Sequence, residues 1–150
     1  PTNSINVTVA GLVPTDAAMK RSAALPGDEV WLMGDLGLSA LGLEQWFAGL
    51  HQGSCVSSFT TITPLLKKGQ QLRQLGIKCC MDISDGLMQD AGHIASASQL
   101  SMRIETEKLE QLSSYHKMVD TTGHEKALQL ILNGGEDYAL LFTAPTSSRN

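Results

Sequence analysis

Apolar positions along this chain change their period again and again, and each change predicts an element. Residues Ile5–Val9, "INVTV", alternate β-branched and polar side chains, which predicts a half-exposed strand. In the following "GLVPTDAAMKRSAALPGDEV", Asp16 is placed to cap a short helix reaching Ala24, and Pro26-Gly27-Asp28 signals a turn. Val30–Gly34, "VWLMG", reads as a short apolar strand. Leu38, Leu41, Leu43, Trp46, Phe47 and Leu50 then recur at helical spacing, with Trp46 and Phe47 expected in the core. His51–Thr63 is polar and reads as loop. Pro64 suits the first turn of a helix through Leu75, closed by Gly76.

A strand over Ile77–Met81 comes next, then a helix reaching about Ser98 and a strand over "SMRIET", Ser101–Thr106. Glu107–Tyr115 predicts a short helix with a turn. A further helix runs from about Gly123 to Leu132, ends at Asn133-Gly134-Gly135, and leads into a last strand, "YALLFTA". No repeat, low-complexity tract or linker interrupts this interleaving. It predicts one domain over residues 1–150 of α/β (α+β layered) class, with helices packed on a mixed sheet.

Composition narrows the partners. The chain has 150 residues, 42% hydrophobic and 17% charged, which suits a globular domain rather than a disordered one. Fifteen acidic against eleven basic residues give a net charge of -4, with no Lys/Arg cluster. That excludes the electrostatic footprint of a nucleic-acid binder or an anionic-membrane binder. No apolar run approaches the roughly 20 residues that span a bilayer. Cys55, Cys79 and Cys80 lack metal or disulfide spacing; the adjacent pair on one strand should face opposite ways as small apolar residues. A reducing cytoplasm is the expected compartment, since no signal-peptide pattern opens the chain. The chain opens at Pro1 directly in a strand pattern and closes just after another, so it is expected to be a piece of a longer protein.

Any bound phosphate compound would then need local devices, and "MDISDG" (Met81–Gly86) offers several. A strand ending here delivers side chains to a sheet rim, and a helix starting here leaves N–H groups without partners. Asp82 and Asp85 are three apart across the turn and can face one pocket. Hard carboxylate oxygens suit Mg2+ bound together with substrate phosphates. Ser84 can offer its hydroxyl to a phosphate oxygen or a metal-bound water, and Gly86 keeps the backbone uncrowded. The plainer alternative is that Ser84 or Asp85 only caps the helix. "NGGEDY" (Asn133–Tyr138) adds two more acids, Glu136 and Asp137, at a second junction. Arg21 can fork onto a phosphate, though a solvated helix arginine is the more common case. The four histidines show no ligand spacing, and Asp90 with His93 reads as a surface pair.

Three stretches carry a resemblance when taken in order: "RSAALPGDEVWLMGDLG", "CCMDISDGLMQDAGHI" and "NGGEDYALLFTAP". Together they resemble the thiamine-monophosphate kinase family, within the superfamily of aminoimidazole-ribonucleotide synthetase and selenophosphate synthetase. The resemblance covers nearly the whole chain and corresponds to the C-terminal α/β part of that family. It implies direct transfer of the γ-phosphoryl group of ATP to thiamine monophosphate, assisted by Mg2+, in a homodimer. On this resemblance Asp82 and Asp85 hold the metal and Ser84 and Arg21 meet ATP. Glu136, with Asp137 as second choice, meets the substrate phosphate. "RSAALPGD" departs from the family pattern at Ala23 and Leu25, which loosens the Arg21 assignment, and Ala139 stands where Glu is common. The family's N-terminal metal-binding half and its C-terminal thiamine-stacking segment have no counterpart here, so the 150-residue chain alone is expected to be inactive. Two rival readings stand beside this one: another ATP-using enzyme of the superfamily, or a non-catalytic binding domain whose acidic junctions are caps.

Overall fold

The apolar, β-branched stretches that find a partner become strands, and those without one do not. In a computed structural model that describes residues 4–149, three strands pair: β1 (Asp28–Met33), β2 (Cys79–Asp82) and β3 (Leu140–Pro145). Their order is β1-β3-β2, with β3 antiparallel to both neighbours. The register sets Asp28 opposite Pro145 on one side and Asp82 opposite Leu140 on the other. Being central, β3 buries Leu141, Phe142, Thr143 and Ala144 in succession, the signature of a strand covered on both faces. The helices are α1 (Leu38–Phe47), α2 (Ser54–Thr60), α3 (Leu66–Gln74), α4 (Leu87–Ser98), α5 (Thr106–Leu109), α6 (Ser113–Thr122) and α7 (His124–Asn133). α7 lies against α4, α6 and α1, and α2 lies against α1. Leu36, Ile83, Ile94, Met118, Ile131 and Leu141 are fully buried between these layers, each worth about 1.5–3 kcal/mol of transfer free energy. No described helix is long and apolar enough to cross a membrane.

The α+β layering agrees with the interleaved pattern, while the sheet is antiparallel rather than mixed because β3 runs opposite to both earlier strands. Several local expectations are corrected. Ile5–Val9 forms no strand: Ile5, Val7 and Val9 are more than four-fifths exposed, and no described strand pairs with them. Alternation supplies a preference, but a strand needs a neighbour to bond with. Asp16 starts no helix and sits in a turn with φ 58°. Ser101–Thr106 makes no ladder, although Met102 and Ile104 do pack against the core while Ser101 and Arg103 face out. There the period of two reported burial, not pairing. The polar stretch after His51 contains α2, stabilised by packing Cys55 and Val56 inward rather than by helix propensity. Trp46 and Phe47 are not core; Phe47 is 81% exposed and Trp46 meets the His51 ring edge-on at 4.5 Å. Cys79 faces inward and Cys80 is half-buried. Burial, with smaller contributions from Cys79 and Asp82, pushes the Cys80 thiol up to about 11, so it stays protonated at neutral pH.

Candidate functional site

The two acidic junctions are distant in sequence and joined in space. β2 ends at Asp82, and the pairing continues beyond the sheet through irregular backbone. Ile83 N–H donates to the Ala139 carbonyl, Tyr138 N–H to the Ile83 carbonyl and Glu136 N–H to the Ser84 carbonyl, each at 2.8 Å. Two glycines make this approach possible. A Cβ on Gly135 would stand 2.5 Å from the Ser84 oxygen. One on Gly86, where φ is +114°, would meet the Asn133 carbonyl at 3.0 Å. Asn133-Gly134 ends α7 as expected, with the Gly134 N–H donating to the Leu130 carbonyl at 2.8 Å, but Gly134 is extended (φ -69°, ψ 134°), so the chain turns straight into the zipped segment.

Glu136 (φ 64°) and Tyr138 (φ 52°) both adopt left-handed backbone, on either side of Asp137. Such conformations cost a side-chain-bearing residue roughly 1–3 kcal/mol each and persist where the surroundings impose them. The outcome is a split of adjacent acids. Glu136 is exposed and accepts a hydrogen bond from the Tyr138 hydroxyl at 3.3 Å. The Asp137 carboxylate turns inward, where Oδ2 accepts from Gly37 N–H at 2.7 Å and Oδ1 from Ser39 N–H at 3.2 Å. Asp137 thus caps α1 from the far side of the chain and holds an anion at its positive end. Burial raises its pKa, opposed by those two backbone hydrogen bonds.

Asp82 and Asp85 are exposed at the rim that Glu136 shares. Tyr138 stands beside Glu136 at this rim. The charge of Glu136 holds its phenol above the usual range, followed by burial and its bond to Glu136, with Asp82 and Asp85 adding to the effect. Asp85 accepts from Gln89 Nε2 at 2.8 Å. The described ion pairs, Arg103 and Lys108 with Glu105, Lys117 with Asp35 and Lys126 with Glu44, all lie elsewhere. The three carboxylates of this rim, Asp82, Asp85 and Glu136, therefore have no ion-pair partner among the described residues.

Capping does not account for this junction. The N-cap of α4 is Gly86, without a side-chain bond, and neither Ser84 nor Asp85 caps the helix. The loop amides go instead to Asp90, whose Oδ2 accepts from Ser84 N–H at 3.0 Å and from Asp85 N–H at 3.1 Å. Asp90 is 1% exposed, so the expected surface pair with exposed His93 is not what it forms. The missed signal was an acid in the first turn of a helix that starts at glycine. Asp85, Asp90 and His93 nevertheless bring ligand atoms within 4.8 Å of one another. The backbone of Arg21 is not at this rim. Its carbonyl accepts from Ser98 Oγ at 3.0 Å, at the last residue of α4, and from Cys79 Sγ at 3.8 Å, where β2 begins. That places its backbone about 10 Å from Asp82 along β2.

The chain belongs to the family described as AIR synthase related protein, C-terminal domain, whose model matches residues 26–143. Within it, the chain is similar to thiamine-monophosphate kinases. It is 35% identical to that of Salmonella typhimurium over 97% of this chain and 46% of the relative. With that of Haemophilus influenzae the identity is 38%, over 95% and 44%. The crystal structure of thiamine-monophosphate kinase from Stenotrophomonas maltophilia K279a superposes with a TM-score of 0.82 at 30% identity, over 91% of this chain and 45% of that one. A structure described as AaThiL complexed with AMPPCP and TMP gives 0.76 at 30% identity, over 88% and 44%. The chain thus spans just under half the length of the relatives it matches.

Proposed function

We propose that this chain is part of an ATP-dependent kinase that phosphorylates thiamine monophosphate to thiamine diphosphate. The observation that carries the reading is the zipped pair of junctions, which sets Asp82, Asp85 and Glu136 on one rim with no ion-pair partner among the described residues. Its support from relatives is the kinases themselves and the one described with both AMPPCP, an ATP analogue, and TMP.

The donor set fits Mg2+: hard oxygens, exposed, and mutually repulsive without a counter-charge. Asp82 and Asp85 would hold the cation, which when bound would draw charge from the transferring phosphoryl oxygens. Ser84 stands between them, its backbone fixed on both sides, and its hydroxyl would meet a nucleotide phosphate. Glu136 would orient the acceptor phosphate, with Tyr138 bracing it. Asp137, occupied with α1, serves the site by shape rather than by contact. Arg21 enters this reading only through a nucleotide long enough to reach the other end of β2. In phosphoryl transfer, positioning and charge neutralisation of this kind supply most of the rate. We read the whole enzyme as a homodimer of the cytoplasm, on family resemblance.

The test is direct. Joined to a segment that completes the relatives' length and given MgATP with thiamine monophosphate, the chain should release ADP and form thiamine diphosphate. The 150-residue chain alone should not, and steady turnover by it would refute that part. ADP release by the completed protein with a different phosphate acceptor, but none with thiamine monophosphate, would assign it to another ATP-using enzyme of the family.

A further inference from the structure

Asp90 is the one fully buried carboxylate beside the rim. Its own N–H donates to the Gly86 carbonyl at 3.0 Å and begins α4, while its side chain folds back over the helix start. A single oxygen, Oδ2, collects the N–H groups of Ser84 and Asp85. With the Ser84 carbonyl accepting from Glu136 and the Ile83 N–H donating to Ala139, the backbone from Ile83 to Asp85 is held from two directions. The second junction holds one side and Asp90 the other. The loop that carries Asp82, Ser84 and Asp85 therefore has its amides committed inward and its carboxylates left outward.

We infer that Asp90 is a positioning residue, which fixes the Asp82–Gly86 loop so that its outward acids meet one divalent cation that Asp90 itself does not touch. This rests on the cation reading of the rim given above. The competing role is that of a ligand, since Asp85, Asp90 and His93 could converge on an ion. The two roles demand different things of the side chain. Positioning needs an acceptor oxygen in one place and no charge; a carboxylate ligand draws most of its strength from the charge, which a neutral amide oxygen lacks. A positioning partner of this kind typically changes metal affinity by about 10–100-fold when removed.

Tb3+ is a suitable probe: it is a hard ion that seeks oxygen, and its emission is sensitised by a nearby phenol such as Tyr138. The 150-residue chain would be titrated with Tb3+, displaced with Mg2+, and its Ser84 and Asp85 amide exchange followed by NMR. Asp90→Asn keeps an oxygen that can accept both N–H groups and should bind within about threefold of the parent, while Asp90→Ala should weaken binding by about tenfold or more. Asp90→Glu, which keeps the charge but moves the oxygen, should resemble Asp90→Ala and covers the case in which the alanine variant does not fold. Asp90→Asn weakened as far as Asp90→Ala would make Asp90 a ligand and overturn the inference. Equal binding by Asp90→Ala and the parent would overturn it as well. Should the parent bind no Tb3+, the cation reading fails by itself and amide exchange decides the role of Asp90. Faster exchange at Ser84 and Asp85 in Asp90→Ala but not in Asp90→Asn upholds its hold on the loop; unchanged exchange removes it.

Discussion

Two helix–strand junctions in this chain each carry a pair of acids, and the two pairs meet different fates. At the end of β2, Asp82 and Asp85 both stay exposed, while a third acid, Asp90, takes the structural duty of binding the loop amides. At the start of β3 the pair divides: Glu136 reaches the rim and Asp137 is consumed as the cap of α1. In each junction one carboxylate satisfies backbone N–H groups and the others are left outward. Asp137 is drawn inward by the N-terminus of α1, arriving from elsewhere in the fold, whereas Asp90 folds back onto the loop that opens its own helix.

The largest way to break this arrangement is to deny the junctions their contact. Gly135→Ala would put a methyl group 2.5 Å from the Ser84 oxygen. It should cost about 1–3 kcal/mol of stability in denaturant unfolding and weaken cation binding at the same time. Next is the inward acid. Asp137→Ala leaves the Gly37 and Ser39 amides without their acceptor and should cost about 1–2 kcal/mol, with Tb3+ affinity unchanged. The outward acids should behave in the opposite way. Asp82→Asn or Asp85→Asn should leave stability within about 0.5 kcal/mol of the parent, as for an exposed position, yet lower Mg2+ and nucleotide affinity. If both variants bind normally, the rim is not a cation site.

The smallest effect is one of pH. Burial raises the Asp137 pKa on folding, so the folded state holds this proton more tightly than the unfolded chain. That contribution is complete below the unfolded carboxylate value of about 3.9 and is lost as pH rises through the higher folded value. Relative to Asp137→Asn, the parent should therefore lose stability over that window, read as a converging or crossing difference in Tm.

Much of this was legible in the sequence. The strand at residue 140, the helices α1, α4 and α7, and the acidic loop at Asp82–Gly86 all follow from local period and turn chemistry. The layered α+β class follows from their interleaving. Most of what was not legible depended on distant partners. Ile5–Val9 has the right alternation for a strand and nothing beside it. α2 is held by packing against α1 rather than by its own residues. Asp90 looked like a surface acid, although an acid in the first turn of a helix that starts at glycine is placed to bind the loop amides just before it. Arg21 and Ser84 occur in motifs of one family, but the fold places their backbones toward opposite ends of β2.

Asp82 and Asp85 are proposed to hold one cation beside Tyr138, on the rim they share with Glu136. The most direct measurement is tyrosine-sensitised Tb3+ emission from the parent chain, Asp82→Asn, Asp85→Asn and Tyr138→Phe. The account predicts emission that Mg2+ displaces, that weakens in both acid variants and that disappears in Tyr138→Phe. Emission that survives Tyr138→Phe, or that ignores the loss of Asp82, would contradict it.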